Sequence, residues 1–277
     1  MEEKVFTSIA TPNIAFIKYW GKRDYTGLNL PNNSSISMTL NEVVKTKTSV
    51  VFSDTFKKDR FFLNGKEEEL YGKVANEKLA YTGKIISKFR ELSGIKKNVL
   101  VVTENNFPSS AGIASSASGA AALVFALNNA LSLNMNNKAL SIMARQISGS
   151  ACRSLFGGIV KWNKGNKPDG SDSYAKQIVD EKFWNLVDVL VIVDSKEKKI
   201  SSSVGHEATV KTSTLYKTRP KFAEAGVKIV EEAIIKKDID MLSRAIMKDS
   251  NNMHATMTDT WPPILYLNDT SKEIIYA

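Results

Sequence analysis

One cysteine, Cys152, and two histidines, His206 and His254, are all that 277 residues offer of thiol and imidazole metal ligands. A lone cysteine excludes an intrachain disulfide, and so few histidines exclude a conventional zinc site built without carboxylates. A reducing, cytoplasmic setting without a structural metal is the expectation. Long apolar runs are also missing. The most apolar helical stretch, Ala117 to Leu127, is far short of the roughly 20 residues that cross a bilayer. Met1-Glu2-Glu3-Lys4 carries acid where a secretory leader wants base, and no apolar core of leader length follows. Neither secretion nor a membrane partner is expected.

Charge of one sign is in excess. The 38 Lys plus Arg outnumber 29 Asp plus Glu, for a net +9, which favours anionic partners: phosphorylated metabolites or nucleic acid. The basic residues are scattered along the chain, and no zinc-finger, RNP-type or GXXG pattern occurs. Most of these lysines read as solvated surface, and no nucleic-acid partner is expected. With 43% apolar residues the chain can bury one large core or two modest ones.

Apolar spacing predicts a mixed first part of about 180 residues. Strands are expected at Phe6 to Ala10, Thr46 to Phe52, Phe61 to Leu63, Asn98 to Thr103 and Gly158 to Trp162, with Asn64-Gly65 as a tight hairpin turn. Helices are expected over Gly72 to Leu92, Ala111 to Leu131 and Lys138 to Ile147. Val187 to Val193, nearly all apolar and rich in valine, predicts a buried strand opening a second unit. Helices from about Pro220 to Lys236 and Asp238 to Met253 follow. Thr270-Ser271-Lys272-Glu273 reads as a capping box before a final helix. So short a helix, and a unit with one clear strand, suggest a chain that stops early.

Three segments carry chemistry. After the strand ending at Thr103, small residues crowd the approach to a helix: Ser109-Ser110-Ala111-Gly112-Ile113-Ala114-Ser115-Ser116-Ala117-Ser118-Gly119. Such residues let a polyphosphate reach backbone N–H groups at a helix start, and Ser115, Ser116 and Ser118 add hydroxyls for phosphate or magnesium. The same composition suits a helix packed closely on a sheet. Neither the P-loop nor the dinucleotide-binding glycine spacing is present.

Lys18, Tyr19, Lys22 and Arg23 follow an alternating stretch from Asn13 and could hold a diphosphate, or form a solvated basic edge. Ser148-Gly149-Ser150-Ala151-Cys152-Arg153-Ser154 places one guanidinium, suited to a carboxylate, among hydroxyls; an ordinary Ser/Gly turn fits too. Cys152 reads as a packed residue and His254 as a helix-end residue, while Ser201-Ser202-Ser203 is either a phosphate contact or a loop.

Together these segments resemble the diphosphomevalonate decarboxylases of the GHMP kinase superfamily. The resemblance rests on Asn13-Ile14-Ala15 with Lys18-Tyr19-Trp20-Gly21-Lys22, on Ala111-Gly112-Ile113-Ala114-Ser115-Ser116, and on Ser148 to Ser154. Asp169-Gly170-Ser171-Asp172-Ser173-Tyr174-Ala175, His254-Ala255-Thr256 and Pro262-Pro263 extend it over essentially the whole chain.

The resemblance implies an α+β, two-lobed GHMP kinase fold. Residues 1–183 would form an ATP-binding lobe like the second domain of ribosomal protein S5, and residues 184–277 a ferredoxin-like lobe that ends short. It implies ATP and Mg2+ as cofactors, mevalonate 5-diphosphate as substrate, isopentenyl diphosphate as product, and a homodimer.

By matched position, Arg153 would hold the substrate carboxylate with Asn13. Tyr19, Lys22, Ser148, Ser150 and Ser202 would hold the diphosphate. Lys18 would stand near the reacting hydroxyl. Ser109, Ser110, Ala111, Gly112, Ala114, Ser115 and Ser116 would serve ATP, with Ser116 also on magnesium. Lys18, Arg153 and Ser116 form the expected catalytic set.

Two departures stand out. Gln146-Ile147 occupies a place where members often have Arg-Gly. The family's catalytic aspartate belongs to an Asp-Ala-Gly-Pro-Asn motif that this sequence does not contain, and neither Asp259 nor Asp269 is taken as its substitute. A relative acting on mevalonate or its monophosphate, and an S5-like RNA-binding protein, are the alternative functions.

Overall fold

Two separate sheets, each covered by its own helices, organise the chain in this computed structural model. It describes residues 3–23, 27–71, 77–107, 115–193 and 200–277. In chain order the elements are β1 (Phe6–Ala10), β2 (Asn13–Ile17), β3 (Ser35–Thr39), β4 (Thr46–Ser53), β5 (Arg60–Leu63), β6 (Lys66–Glu68), α1 (Glu77–Ser93), β7 (Asn98–Asn105), α2 (Ser115–Ala130) and α3 (Asn137–Ile147). There follow a 3-10 turn (Gly149–Cys152), β8 (Ile159–Trp162), β9 (Ala175–Val179), α4 (Ser202–Thr212), a second 3-10 turn (Leu215–Lys217), α5 (Arg219–Lys236), α6 (Ile239–Thr258) and α7 (Asp269–Tyr276).

The first sheet has the order β1-β4-β7-β5-β6, antiparallel except where β5 runs parallel to β7. Val50, Val99 and Val101 point from it into a core closed by Ile86 and Phe89 of α1, Leu123 and Leu127 of α2, and Leu140 of α3. Alanine at 117, 120, 121, 122 and 126 makes α2 thin enough to lie close on the strands. The Asn64-Gly65 pair turns β5 into β6 with φ of 49° and 81°, as its residue types predict.

The second sheet, β2-β3-β8-β9, is wholly antiparallel. Phe16, Ile17, Ile36 and Ile159 bury against Ala223, Val227, Val230 and Ile234 of α5 and Leu242 of α6. Thr11 and Pro12 alone separate β1 of one sheet from β2 of the other.

The strands expected in the first 180 residues form, as do the long helices, with shifted ends. β7 runs on to Asn105 and α6 to Thr258, while α1 and α2 are described from Glu77 and Ser115. The beginnings expected for these two, at Gly72 and Ala111, lie outside the described residues.

Three expectations change. Val187 to Val193 is irregular and exposed, with Val187 at 81%; a strand exists only through its ladder, and no described strand lies alongside this run. The last helix is capped by Asn268, whose side chain accepts from the Ser271 amide. Thr270 therefore sits inside the helix rather than at its cap. Ser202 and Ser203 open a helix, α4, which replaces the loop expected as one alternative there; Ser201 caps it by accepting from the Val204 amide.

Candidate active site

Arg153, just after the 3-10 turn, is 2% exposed. Its Nε donates to Asn13 Oδ1 at 3.1 Å and Ser37 Oγ at 3.0 Å, and Nη1 donates to Ser35 Oγ at 2.5 Å. Asn13, at the start of β2, in turn donates to the Ser150 carbonyl at 3.2 Å and Ser154 Oγ at 2.7 Å. Its side-chain partners Asn13, Ser35 and Ser37 are all neutral, and among the described residues no carboxylate forms an ion pair with it. Burial pulls its pKa below the ordinary guanidinium value. A buried cation oriented by three neutral side chains and lacking an acidic partner is a prepared seat for an anion.

The segment after β2 supplies the next groups. The Lys18 amide donates to Asp249 Oδ2 at 2.8 Å. The Tyr19 ring lies with its centroid 4.7 Å from that of Trp162 and 4.5 Å from that of His206. Its hydroxyl is buried with no hydrogen-bond partner among the described residues, and burial raises its pKa well above the usual phenol value. Gly21 has φ of 89°, and a Cβ there would stand 1.8 Å from the Tyr216 hydroxyl, so only glycine fits. That turn sends Lys22 toward α4, where Nζ donates to Ser203 Oγ at 3.4 Å. Arg23 turns elsewhere, donating to the carbonyls of Gly165 at 2.6 Å and Lys167 at 3.3 Å.

At the start of α2, Ser116 Oγ is 3.4 Å from Ser148 Oγ. A cavity of about 230 Å³ opens beside them, with Ser115, Gly119, Thr48 and Thr103 in its wall. Ser118, expected with the phosphate-binding hydroxyls, is instead buried and bonded to Thr46 Oγ1 at 2.6 Å; the helical turn carries it to the sheet face. Ser109, Ser110, Ala111, Gly112 and Ala114 lie outside the described residues. Ser150 contributes its carbonyl to Asn13, and Ser202 is exposed at the N-terminal end of α4.

No group of three or more His, Cys, Asp or Glu side chains suited to a metal occurs among the described residues. Hydroxyls such as Ser116 are hard oxygen donors of the kind magnesium accepts when phosphates complete its shell, so the residues present fit Mg2+ delivered with a nucleotide and not a cation held by protein alone.

Cys152 is packed and inert, its thiol pushed up to about 12 by burial. Asp259 is occupied in accepting from Ser213 Oγ at 2.8 Å, Thr214 Oγ1 at 3.1 Å and the Leu215 amide at 2.9 Å. His254 falls in the last turns of α6, as a helix-end residue should.

Sequence reasoning missed Ser35 and Ser37, which sit in a strand it did not predict. It also missed His206, Arg219 and Asp249. Asp249 had a usable signal: it shares the spacing of Leu242 and Ala245 on the buried side of α6, and a carboxylate on an apolar stripe needs a partner.

The family description "Diphosphomevalonate decarboxylase-like N-terminal domain" matches residues 10–175, and "Mevalonate 5-diphosphate decarboxylase C-terminal domain" matches residues 188–277. A diphosphomevalonate decarboxylase of Candida albicans is 44% identical over 97% of this chain and 76% of its own length. A solved mevalonate diphosphate decarboxylase from Staphylococcus aureus superposes with a TM-score of 0.86 at 34% identity, over 99% of this chain and 80% of that one. Another structure, described as MDDEF in complex with MVAPP, AMPPCP and magnesium, gives 0.85 at 35% identity, over 99% and 81%. The two-sheet α+β architecture is thus that of the GHMP kinase fold, and the chain belongs to the diphosphomevalonate decarboxylase family.

Proposed function

We propose that this protein carries out the ATP-dependent conversion of mevalonate 5-diphosphate to isopentenyl diphosphate, releasing ADP, phosphate and CO2. The observation that carries the reading is the Arg153 guanidinium, buried and oriented by Asn13, Ser35 and Ser37 without an acidic partner among the described residues. It offers the substrate carboxylate a fixed cationic seat. Tyr19, Lys22, Ser148, Ser150 and Ser202 hold the diphosphate. Ser109, Ser110, Ala111, Gly112, Ala114, Ser115 and Ser116 hold ATP, with the cavity beside Ser115 and Ser116 in reach.

Ser116 would contribute a hydroxyl to Mg2+, which when bound neutralises charge on the transferring phosphoryl group. Lys18 brings its ammonium to the substrate's 3-hydroxyl and the phosphates, so that transfer depends on placement and charge balance. The 3-hydroxyl gives its proton to solvent and takes the terminal phosphoryl group of ATP as ADP leaves; the C3–O bond then breaks and phosphate departs with its electron pair. The carboxylate's C–C bond then supplies electrons for the new double bond, and CO2 departs. Arg153 keeps that bond aligned with the leaving group throughout.

A division near residue 183 into an ATP-binding lobe and a second lobe, a homodimer, a cytoplasmic location and indifference to nucleic acid complete the reading. The break between the two family matches supports the division. No helix of the described residues is long and apolar enough to cross a membrane.

The test is to supply the protein with ATP, magnesium and mevalonate 5-diphosphate and to measure CO2 and ADP together. Equal release of the two is expected, and ADP without CO2, or neither, overturns the reading. Mevalonate and its monophosphate run alongside decide whether the diphosphate is required.

A further inference from the structure

Two buried charges lie outside the groups given to chemistry. Arg219, the first residue of α5, and Asp249, in α6, are 0% and 1% exposed and meet at 2.6 Å. Nη1 donates to Asp249 Oδ1 and, at 3.1 Å, to Asn252 Oδ1, while Nη2 donates to Asp249 Oδ2 at 3.1 Å.

This pair reaches one residue of β2's exit from both sides. Asp249 Oδ2 accepts the backbone N–H of Lys18 at 2.8 Å, and Arg219 Nη2 donates to the Lys18 carbonyl at 3.3 Å. Asn33 Nδ2 donates to the same carbonyl at 3.1 Å. Lys18 follows the last residue of β2, so its backbone groups have left the sheet ladder and find partners in side chains: Asn33 nearby, and Asp249 and Arg219 more than 200 residues away along the chain.

A buried ion pair is a poor stability device, because apolar residues of the same volume would hold the helices at least as well. Apolar residues could not accept from one backbone N–H and donate to the carbonyl of the same residue. We infer that Arg219 and Asp249 are positioning residues for Lys18: the second part of the chain sets, through this ion pair, where the ammonium of Lys18 stands relative to the transferring phosphoryl group. The inference rests on the role given to Lys18 in the proposed function. Phosphoryl transfer is catalysed by placement more than by covalent chemistry, and a misplacement of about 1 Å is worth about 100-fold in rate. Both side chains are closed off from solvent, so the pair is expected to leave affinity alone.

The experiment compares wild type, Arg219→Lys, the double variant Arg219→Met with Asp249→Leu, and each of these in a Lys18→Ala background. Arg219→Lys keeps the charge pair but loses the fork that bridges to the Lys18 carbonyl; the double variant removes both charges together, so no lone charge stays buried. Turnover of mevalonate 5-diphosphate and its affinity by calorimetry are both read. Expected is a kcat about 10-fold lower for Arg219→Lys and about 100-fold lower for the double variant, with the Kd for mevalonate 5-diphosphate within about threefold of wild type.

In the Lys18→Ala background the same changes should cost nothing further, since their effect passes through Lys18. Losses that simply multiply with that of Lys18→Ala, a kcat that does not move, or a Kd that weakens in step with kcat each overturn the inference. If the double variant does not fold, Arg219→Lys and its Lys18→Ala counterpart decide alone. A wild type that releases no CO2 overturns the proposed function and the inference with it, whereas an active wild type with unaffected variants overturns the inference alone.

Discussion

The backbone amide of Gly21 donates to Nδ1 of His206 at 2.8 Å, across 185 residues of sequence. That bond ties the turn carrying Lys22 to α4 and fixes the imidazole as neutral, with its proton on Nε2. The Trp20 and Tyr19 rings pack against it with centroids 4.5 Å away. Burial first, and the charge of Lys22 second, lower the His206 pKa to about 3.

The sign of the consequence is fixed. A histidine whose folded-state pKa lies below its unfolded value of about 6.5 binds its proton in the unfolded chain first. Its contribution to stability is whole above about pH 6.5 and is lost as pH falls from there toward 3. Urea unfolding between pH 6.5 and 4.5 should show wild type losing about 1.4 kcal/mol per pH unit more than His206→Asn, which keeps an acceptor near Nδ1 and does not titrate. Parallel curves for the two proteins would show that His206 does not stay neutral.

This bond also marks where the sequence stops being legible. Elements with local causes were readable: the alternation of β1, the Asn64-Gly65 turn, the helical spacing of α3, and the small residues along α2. The candidate residues Asn13, Lys18, Tyr19, Lys22, Ser148 and Arg153 stood out because they fall in short segments that carry the family resemblance. Ser35, Ser37, His206, Arg219 and Asp249 are not marked that way. Each matters through a partner more than 100 residues distant, and no window of sequence contains both ends. Val187 to Val193 shows the converse: apolar β-branched composition permits a strand, but pairing makes one.

Gly21→Ala should disable the turn. Its φ of 89° disfavours any side chain, and the added Cβ would overlap the Tyr216 hydroxyl, which is itself bonded to the Trp20 carbonyl at 3.1 Å and to Asn32 at 2.9 Å. Neither tyrosine nor turn can give way cheaply, so a loss of about 2–4 kcal/mol is expected. Affinity for inorganic diphosphate should fall as Lys22 is displaced. Denaturant unfolding with diphosphate titration reads both, and a loss below about 0.5 kcal/mol would mean the turn can relax around a methyl group.

Arg153→Met separates stability from function. The guanidinium is desolvated without an acidic partner among the described residues, and the serines that accept from it can turn to other partners. An apolar side chain of similar length should therefore keep stability within about 1 kcal/mol of wild type. Turnover should fall at least about 100-fold, because the carboxylate loses its fixed seat. Calorimetric unfolding and a CO2 assay on the same preparation check the pair. Loss of several kcal/mol would identify Arg153 as a keystone of the fold and weaken its case as an anion seat.

Tyr19→Phe carries the sharpest contrast of sign. The hydroxyl is buried without a hydrogen-bond partner among the described residues, so in the free protein it has lost water and gained nothing for it. Removing it should raise stability by about 1 kcal/mol, the cost of an orphaned buried hydroxyl. The ring stays, and with it the contacts to Trp162 and His206. With mevalonate 5-diphosphate present the order reverses. A phenol kept protonated by its burial retains an O–H to donate, and a diphosphate oxygen is the acceptor the proposed function gives it. Losing that charge-assisted bond should weaken affinity by about tenfold or more. Unfolding midpoints with and without the substrate therefore cross: the variant is the more stable protein alone and the less stable one when saturated at equal concentration. If both midpoints move in the same direction, the hydroxyl is not a diphosphate contact, and Lys22 with the serines of the Ser148 turn and α4 must hold the diphosphate without it.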